Sequence, residues 1–144
     1  MTKKDDFELQ NFLPYLLNQA AEESSLAFQS IYKDRYGMLR TEWRVLFHLG
    51  VYGKLTAKAI CERSKMHKTK ISRAVARLED RRFLTRERDA DDRRQEYLEL
   101  TPAGRAAYVE LRGVAMDYDA KLAEAFSEGE VDILRKLLTH LAKL

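Results

Sequence analysis

Between Gly53 and Pro102 the hydrophobic period of the chain switches from helical to extended, and this switch restricts the available folds more than any other feature. Leu55-Thr56 predicts a brief extended link, Ala57 to Ser64 a short helix, and Lys65-Met66-His67 a turn. From Lys68 to about Arg81 the pattern is helical again, because Ile71, Val75 and Leu78 recur at steps of four and three and line one side. Phe83 to Arg88 then has strand composition, Asp89 to Arg94 is a polar turn, and Gln95 to Leu100 alternates polar with apolar residues. Two short helices on a tight turn with a β-hairpin directly behind them predict a helix-turn-helix carrying a wing.

Charge is concentrated on the same segment. Residues 63–94 hold twelve of the 26 Lys and Arg residues against six acidic ones, a net +6, whereas residues 1–62 are neutral and residues 95–144 carry −3. A basic block between neutral and acidic flanks is the electrostatic footprint of a protein that binds a polyanion. With Ile71, Val75 and Leu78 packed inward, Lys68, Thr69, Lys70, Ser72, Arg73 and Arg77 are left on the outer face. Such a face suits the major groove of double-stranded DNA, since helix N-terminal amides favour phosphate and Arg pairs with guanine. Thr69, Lys70 and Arg73 are expected near base edges, and Lys68, Ser72 and Arg77 near the backbone. Arg88 lies on the hairpin stem, and Arg93 and Arg94 at its tip suit a minor groove. Asp92 is expected to brace a neighbouring guanidinium.

The flanking segments predict helices. Leu9, Phe12, Leu13, Leu16, Leu17, Ala20, Ala27, Phe28, Ile31 and Tyr32 recur at threes and fours, with Pro14 near the start and Gly37 at the end. Thr41 is expected to cap a second helix that ends near Tyr52-Gly53. Thr101 to Phe126 predicts a long helix with Pro102 at its first position, and Ser127 with Glu130 forms a capping box for a last one. On that last helix Val131, Leu134, Leu137, Leu138, Leu141 and Leu144 make an apolar stripe, for which association of two copies is the expected use and packing on the first helix the alternative. The expected architecture is mainly α with a small β-hairpin wing. A single domain spans residues 1–144, with the winged helix-turn-helix at about 41–101 and flanking helices at about 7–36 and 102–144.

The run from Lys68 to Gly104, KTKISRAVARLEDRRFLTRERDADDRRQEYLELTPAG, closely resembles the core of the multiple antibiotic resistance regulator (MarR) family. Its markers are Ser72-Arg73 followed by Leu78-Glu79, then Asp92-Arg93-Arg94, then Leu100-Thr101-Pro102-Ala103-Gly104, and the helix order makes the resemblance nearly chain-wide. The resemblance implies a homodimeric transcriptional regulator, a repressor on a palindromic operator that a small ligand releases. It also implies that the first helix and the last two, at about 7–36 and 102–144, are dimerisation helices that pair with their copies, and it assigns Arg94 as the minor-groove arginine with Asp92 as its partner. Two positions depart from the family pattern: Arg82 stands where glycine is usual after the recognition helix, and His67 where Asp or Ser often caps it.

The resemblance also suggests a ligand pocket between the dimer helices and the winged part. Arg44 and His48 fall one turn apart beside Trp43, a set able to hold an aromatic or phenolic acid if they converge, and otherwise surface residues beside a core indole. Cys61, the only cysteine, excludes an intrachain disulfide and is expected to be an inert thiol. No metal-ligand spacing or phosphate-cradling glycine loop appears, so neither an enzyme, a metal site nor a cofactor is expected. No run of 18 apolar residues occurs and the N-terminus, Met1 to Asp6, is polar rather than a signal segment, which points to a soluble cytoplasmic protein without membrane contact. A winged-helix module for protein contacts and general architectural DNA binding are the rival functions. Effector, target genes, operator sequence and the sign of regulation are not encoded in these residues.

Overall fold

The computed structural model describes residues 6–144, so the polar lead of residues 1–5 lies outside it. A 3₁₀ turn, Leu9–Asn11, leads into α1 (Leu13–Tyr36), followed by α2 (Arg40–Tyr52), β1 (Leu55–Thr56), α3 (Ala57–Ser64) and α4 (Lys68–Asp80). The hairpin β2 (Leu84–Arg88) and β3 (Glu96–Leu100) comes next, then α5 (Pro102–Ala123) and α6 (Glu128–Leu141). The protein is mainly helical with a small antiparallel sheet in the order β1-β3-β2. Register pairs Leu84 with Leu100, Arg86 with Leu98 and Arg88 with Glu96, while Leu55 pairs with Leu98 on the other edge of β3. The extended link expected at Leu55-Thr56 is therefore a sheet strand that ties the start of the helix-turn-helix to the wing.

The core forms where the winged part closes on α2 and α5. Ile60, Ile71, Val75 and Leu78 are buried together with Val45, Leu46, Leu49, Leu84, Leu98 and Leu111. Each large aliphatic side chain so placed contributes roughly 1.5–3 kcal/mol relative to exposure. At one edge an aromatic cluster joins α1, α2 and α5: Phe28 meets Trp43 edge-on at 5.4 Å, Trp43 meets Phe47 at 5.1 Å, and Tyr118 stacks on Phe28 at 6.3 Å.

Helix ends follow local chemistry. Thr56 caps α3 by accepting from Ala59 N at 3.1 Å, and Thr101 caps α5 by accepting from Gly104 N at 3.0 Å. The Ser127 and Glu130 capping box of α6 is formed in both directions. Thr41 does not cap α2; it lies inside the helix, where Leu39 is the cap residue and the Glu42 carboxylate accepts from the Leu39 amide. Helix α5 ends at Ala123 rather than Phe126, because beyond it the bonds tighten to three-residue turns: Ala125 N donates to Leu122 O at 3.4 Å and Phe126 N to Ala123 O at 3.1 Å.

Helix α4 closes with a two-bond turn. Phe83 N donates to Leu78 O and Arg82 N to Glu79 O, both at 2.9 Å, which places Arg82 in the left-handed region at φ 62°. Thr101 Oγ1 donates to Arg82 O at 2.6 Å and Thr101 N to Phe83 O at 3.0 Å. Gly104 follows one helical turn later, and a Cβ there would lie 2.0 Å from Phe83 O, so only glycine lets α5 approach the wing base this closely.

The terminal helices are largely uncovered within one chain. In α1 only Phe28 and Tyr32 are buried, and α6 buries none of its residues. Phe12, Leu13 and Leu16 at one end and Leu134, Leu137, Leu138 and Leu141 at the other are exposed. The alternative packing of the α6 stripe onto α1 is not found. No helix of the described residues is long and apolar enough to cross a membrane.

Candidate nucleic-acid interface

Helix α4 sorts its residues by period. Ile71, Ala74, Val75 and Leu78 are buried, and Lys68, Thr69, Lys70, Ser72, Arg73 and Arg77 are exposed. Among the described residues Lys68, Lys70, Arg73 and Arg77 have no side-chain partner, so their charge is available to a ligand. At the N-terminus His67 Nδ1 accepts from Thr69 N at 3.2 Å. An imidazole nitrogen thus replaces the usual Asp or Ser oxygen without disturbing the helix start, leaving the neighbouring amides of the first turn open to an anion.

The wing tip is built by two aspartates. Asp89 Oδ1 accepts from Asp91 N at 3.0 Å, and Asp92 Oδ1 from Arg94 N at 3.1 Å, each closing a side-chain turn. Asp92 Oδ1 also accepts from Arg94 Nε at 3.2 Å, while the Arg94 side chain remains 93% exposed. The guanidinium is thereby aimed but not covered. Arg88 and Arg93 are exposed as well, without side-chain partners among the described residues.

Other cations of the basic block, and Lys54 ahead of it, have partners within the fold. Arg86 pairs with Glu79 of α4 at 3.1 Å and with Glu96 of β3 at 3.6 Å, fixing the wing against the helix. Lys54 bridges Glu87 and Glu99 at the outer end of the sheet, and its ammonium is held above its ordinary range chiefly by the hydrogen bond to Glu87. Arg63 lies over the Tyr52 ring at 4.0 Å. Arg81 donates to the main-chain carbonyls of Tyr36 and Gly37 and faces Glu42. Of these, Arg63, Arg81 and Arg86 belong to the basic block of residues 63–94, whose count does not separate cations with a partner inside the fold from those facing solvent.

Helix, wing and α3 meet at one cleft of about 290 Å³, lined by Thr56 and Lys58 at the start of α3, Ser72 on α4, and Arg94 and Gln95 at the wing tip. A second, apolar groove of about 520 Å³ lies between α1 and α5 and is lined by Ala27, Ile31, Val114, Tyr118 and Leu122, with Asp117 and Lys121 at its edge. Trp43, Arg44 and His48 line neither. Trp43 faces the aromatic cluster, and His48 Nδ1 donates to Arg44 O at 2.6 Å within α2. Cys61 is half-buried against the core. No group of three or more His, Cys, Asp or Glu among the described residues is placed to hold a metal ion.

On the far side of the core, Tyr36 Oη donates to Glu110 at 2.5 Å and Arg35 pairs with the same carboxylate. Burial, followed by the Glu110 hydrogen bond, pushes the Tyr36 phenol up to about 12, while the bonds from Tyr36 and Arg35 hold Glu110 below the usual carboxylate range.

Comparison with known proteins agrees with this geometry. Residues 36–95 match the MarR family model. The HTH-type transcriptional regulator FarR of Neisseria gonorrhoeae is 28% identical over 130 residues, covering 89% of this chain and 87% of FarR. The crystal structure of the MarR family transcriptional regulator SPO1453 of Silicibacter pomeroyi is 28% identical with a TM-score of 0.79, covering 94% of this chain and 99% of that one. NadR, solved in complex with 4-hydroxyphenylacetate, shares the fold at 24% identity and a TM-score of 0.77 over 100% of this chain and 99% of its own. Over residues 36–95 the chain thus resembles the MarR family, and in sequence and fold it is similar to known winged helix-turn-helix transcriptional regulators along nearly its whole length.

Proposed function

We propose that two copies of this chain bind an imperfectly palindromic operator in the cytoplasm and repress transcription until a small aromatic acid releases them. Residues of about 41–101 form the reading part, and about 7–36 and 102–144 the pairing part. Each copy lays α4 in the major groove, with Thr69, Lys70 and Arg73 toward base edges and Lys68, Ser72 and Arg77 toward the backbone. Arg88 and Arg93 follow the phosphates, and Arg94, braced by Asp92, enters the minor groove. The observation that carries this is the shared cleft, in which Ser72 of the helix and Arg94 of the wing line one side of the molecule with Lys58. Pairing is supported by the uncovered apolar residues at the start of α1 and along α6, which leave a surface that a two-fold copy covers.

Selection of bound sequences from random duplex DNA tests the proposal. Two half-sites about one helical turn, roughly 10 base pairs, apart are expected. Arg73→Ala and Arg94→Ala should each weaken binding and flatten its salt dependence or relax the base preference. Equal competition by random duplexes supports architectural binding instead, and protection of a single half-site by a monomer rejects the dimer.

The effector reading rests on the α1–α5 groove, whose wall Tyr118 stacks on Phe28 and through it on Trp43. An aromatic ring fits that wall, as 4-hydroxyphenylacetate is bound by NadR. Its carboxylate is carried by Lys121 at the groove edge; the alternative anchor, Arg44 and His48 on α2, lies outside the groove and requires a different seat for the ring. A screen of aromatic acids against the DNA complex, repeated with Lys121→Ala and with Arg44→Ala and His48→Ala, identifies the anchor; full release by every acid in all variants rejects both.

A further inference from the structure

Glu42 is the buried charged residue among the described residues. Its side chain is 1% exposed, one carboxylate oxygen accepts from the Leu39 amide, and the other has no hydrogen-bond partner but lies 3.7 Å from Arg81 Nε. A carboxylate this deep needs a nearby cation. Arg81 is the residue at which the recognition helix ends, yet its guanidinium turns away from the exposed face of α4 and back across the core edge. There it donates to the carbonyls of Tyr36 and Gly37 at the C-terminal end of α1, the latter at 2.8 Å. Gly37 contributes by its lack of a side chain: it sits at φ 63°, and a Cβ there would lie 3.3 Å from Arg81 Nη2. One guanidinium thus joins the end of α4, the last turn of α1 and the buried charge of α2. The same turn of α1 continues through Tyr36 to Glu110 on α5 and meets Phe83 at the wing base, with rings 5.9 Å apart.

We propose that Arg81 is a positioning residue for DNA reading: with Glu42 it fixes the angle of the recognition helix against the pairing helices and makes no phosphate contact itself. The inference rests on the proposed reading of α4 as the DNA-contacting helix. A planar fork with several donors can serve the two carbonyls at the end of α1 and face the carboxylate on α2 at once, which a single ammonium cannot do in the same geometry. A tilt at the C-terminal end of α4 would move Arg73 and Arg77 off their contacts while leaving every charge in place.

Fluorescence anisotropy with the selected operator, titrated over a range of salt concentrations, separates the possibilities. Arg81→Gln and Glu42→Gln are each expected to weaken binding by about tenfold, equivalent to 1.4 kcal/mol, with the salt slope unchanged and the double variant no weaker than the weaker single one. Arg81→Lys, which keeps the charge and loses the fork, should fall with them and serves where Arg81→Gln is too unstable to assay; thermal unfolding confirms that each variant is folded. Glu42→Gln is the sharpest arm, because removing a negative charge strengthens DNA binding if only net charge matters. A slope reduced by about 0.9 in Arg81→Gln marks a phosphate contact and overturns the proposal, as does wild-type or tighter binding by Glu42→Gln or Arg81→Lys. Arg73→Ala is the control on the underlying reading: if it too binds normally, α4 is not the reading helix, whereas its failure beside a normal Arg81→Gln rejects the positioning role alone.

Discussion

Replacing Arg82 by glycine should make the chain more stable, against the usual direction of a surface-to-glycine change. Arg82 sits at φ 62°, where its Cβ crowds the backbone. For an L-residue this conformation costs roughly 1–2 kcal/mol. Glycine removes the cost but has greater freedom in the unfolded chain, which offsets about 0.5–1 kcal/mol of the gain. Nothing else is lost on the folded side, since the bonds of the turn, from Arg82 N to Glu79 O, from Phe83 N to Leu78 O and from Thr101 Oγ1 to Arg82 O, all use main-chain atoms of residue 82 or none. The net expectation is a gain of about 0.5–1 kcal/mol, or an increase in Tm of roughly 1–4 °C for a chain of this size. Urea unfolding and thermal melts at one fixed protein concentration measure it. Arg82→Ala is the control, because it removes the charge but keeps the strained φ. A glycine variant no more stable than the wild type, or an alanine variant stabilised as much as glycine, would refute the conformational account.

Gly104→Ala should act oppositely, because its Cβ meets the Phe83 carbonyl, a main-chain atom that cannot swing aside; a loss of about 1–3 kcal/mol in urea unfolding is expected, and an unchanged midpoint contradicts the close approach. Leu137→Glu with Leu141→Glu should cost little within one chain, where both side chains are exposed, yet shift sedimentation to the monomer and abolish the concentration dependence of Tm; a persistent dimer rejects the pairing surface. The Ser127 amide, and then its side chain, hold the Glu130 carboxyl below its ordinary value. A lowered folded-state value means that its contribution is present above the unfolded carboxylate range and lost as pH falls through the folded value. Glu130→Gln should therefore reduce stability at neutral pH and converge with the wild type in acid, and a constant difference across that range contradicts the capping role.

The parts of this fold that sequence discloses are those with a local physical cause. The spacing of Ile71, Val75 and Leu78 marks the inner face of α4, the alternation in Gln95 to Leu100 marks a strand, and Thr101-Pro102 and Ser127 with Glu130 mark helix starts. The sheet role of Leu55-Thr56 is not legible, because two residues carry no period and their partner Leu98 lies far along the chain. Thr41 misleads because Glu42 reaches back to the Leu39 amide and moves the start of α2 ahead of it. For the candidate site, exposure of the α4 cations follows from helical geometry, but the division of the basic block does not. Arg73 and Arg81 are chemically alike, and only the fold shows that one faces solvent while the other reaches the end of α1. Glu42 left a sign that can be recovered: it falls in step with Val45, Leu46 and Leu49 on an otherwise apolar face. A carboxylate in that position predicts a cationic partner from another element.

The close seating of Gly104 on Phe83, with the two Thr101 bonds beside it, makes the hairpin a lever whose handle is α5. Five strand residues at about 3.3 Å each place the tip roughly 16 Å from this joint. A rotation of α5 by only about 10° therefore carries the tip through about 3 Å, the length of a hydrogen bond. Arg94 is held to its own turn by Asp92 and travels with the tip rather than swinging to compensate. Small movements of α5 are therefore magnified at the tip that carries Arg94, and no large rearrangement is needed to displace its guanidinium by the length of a contact.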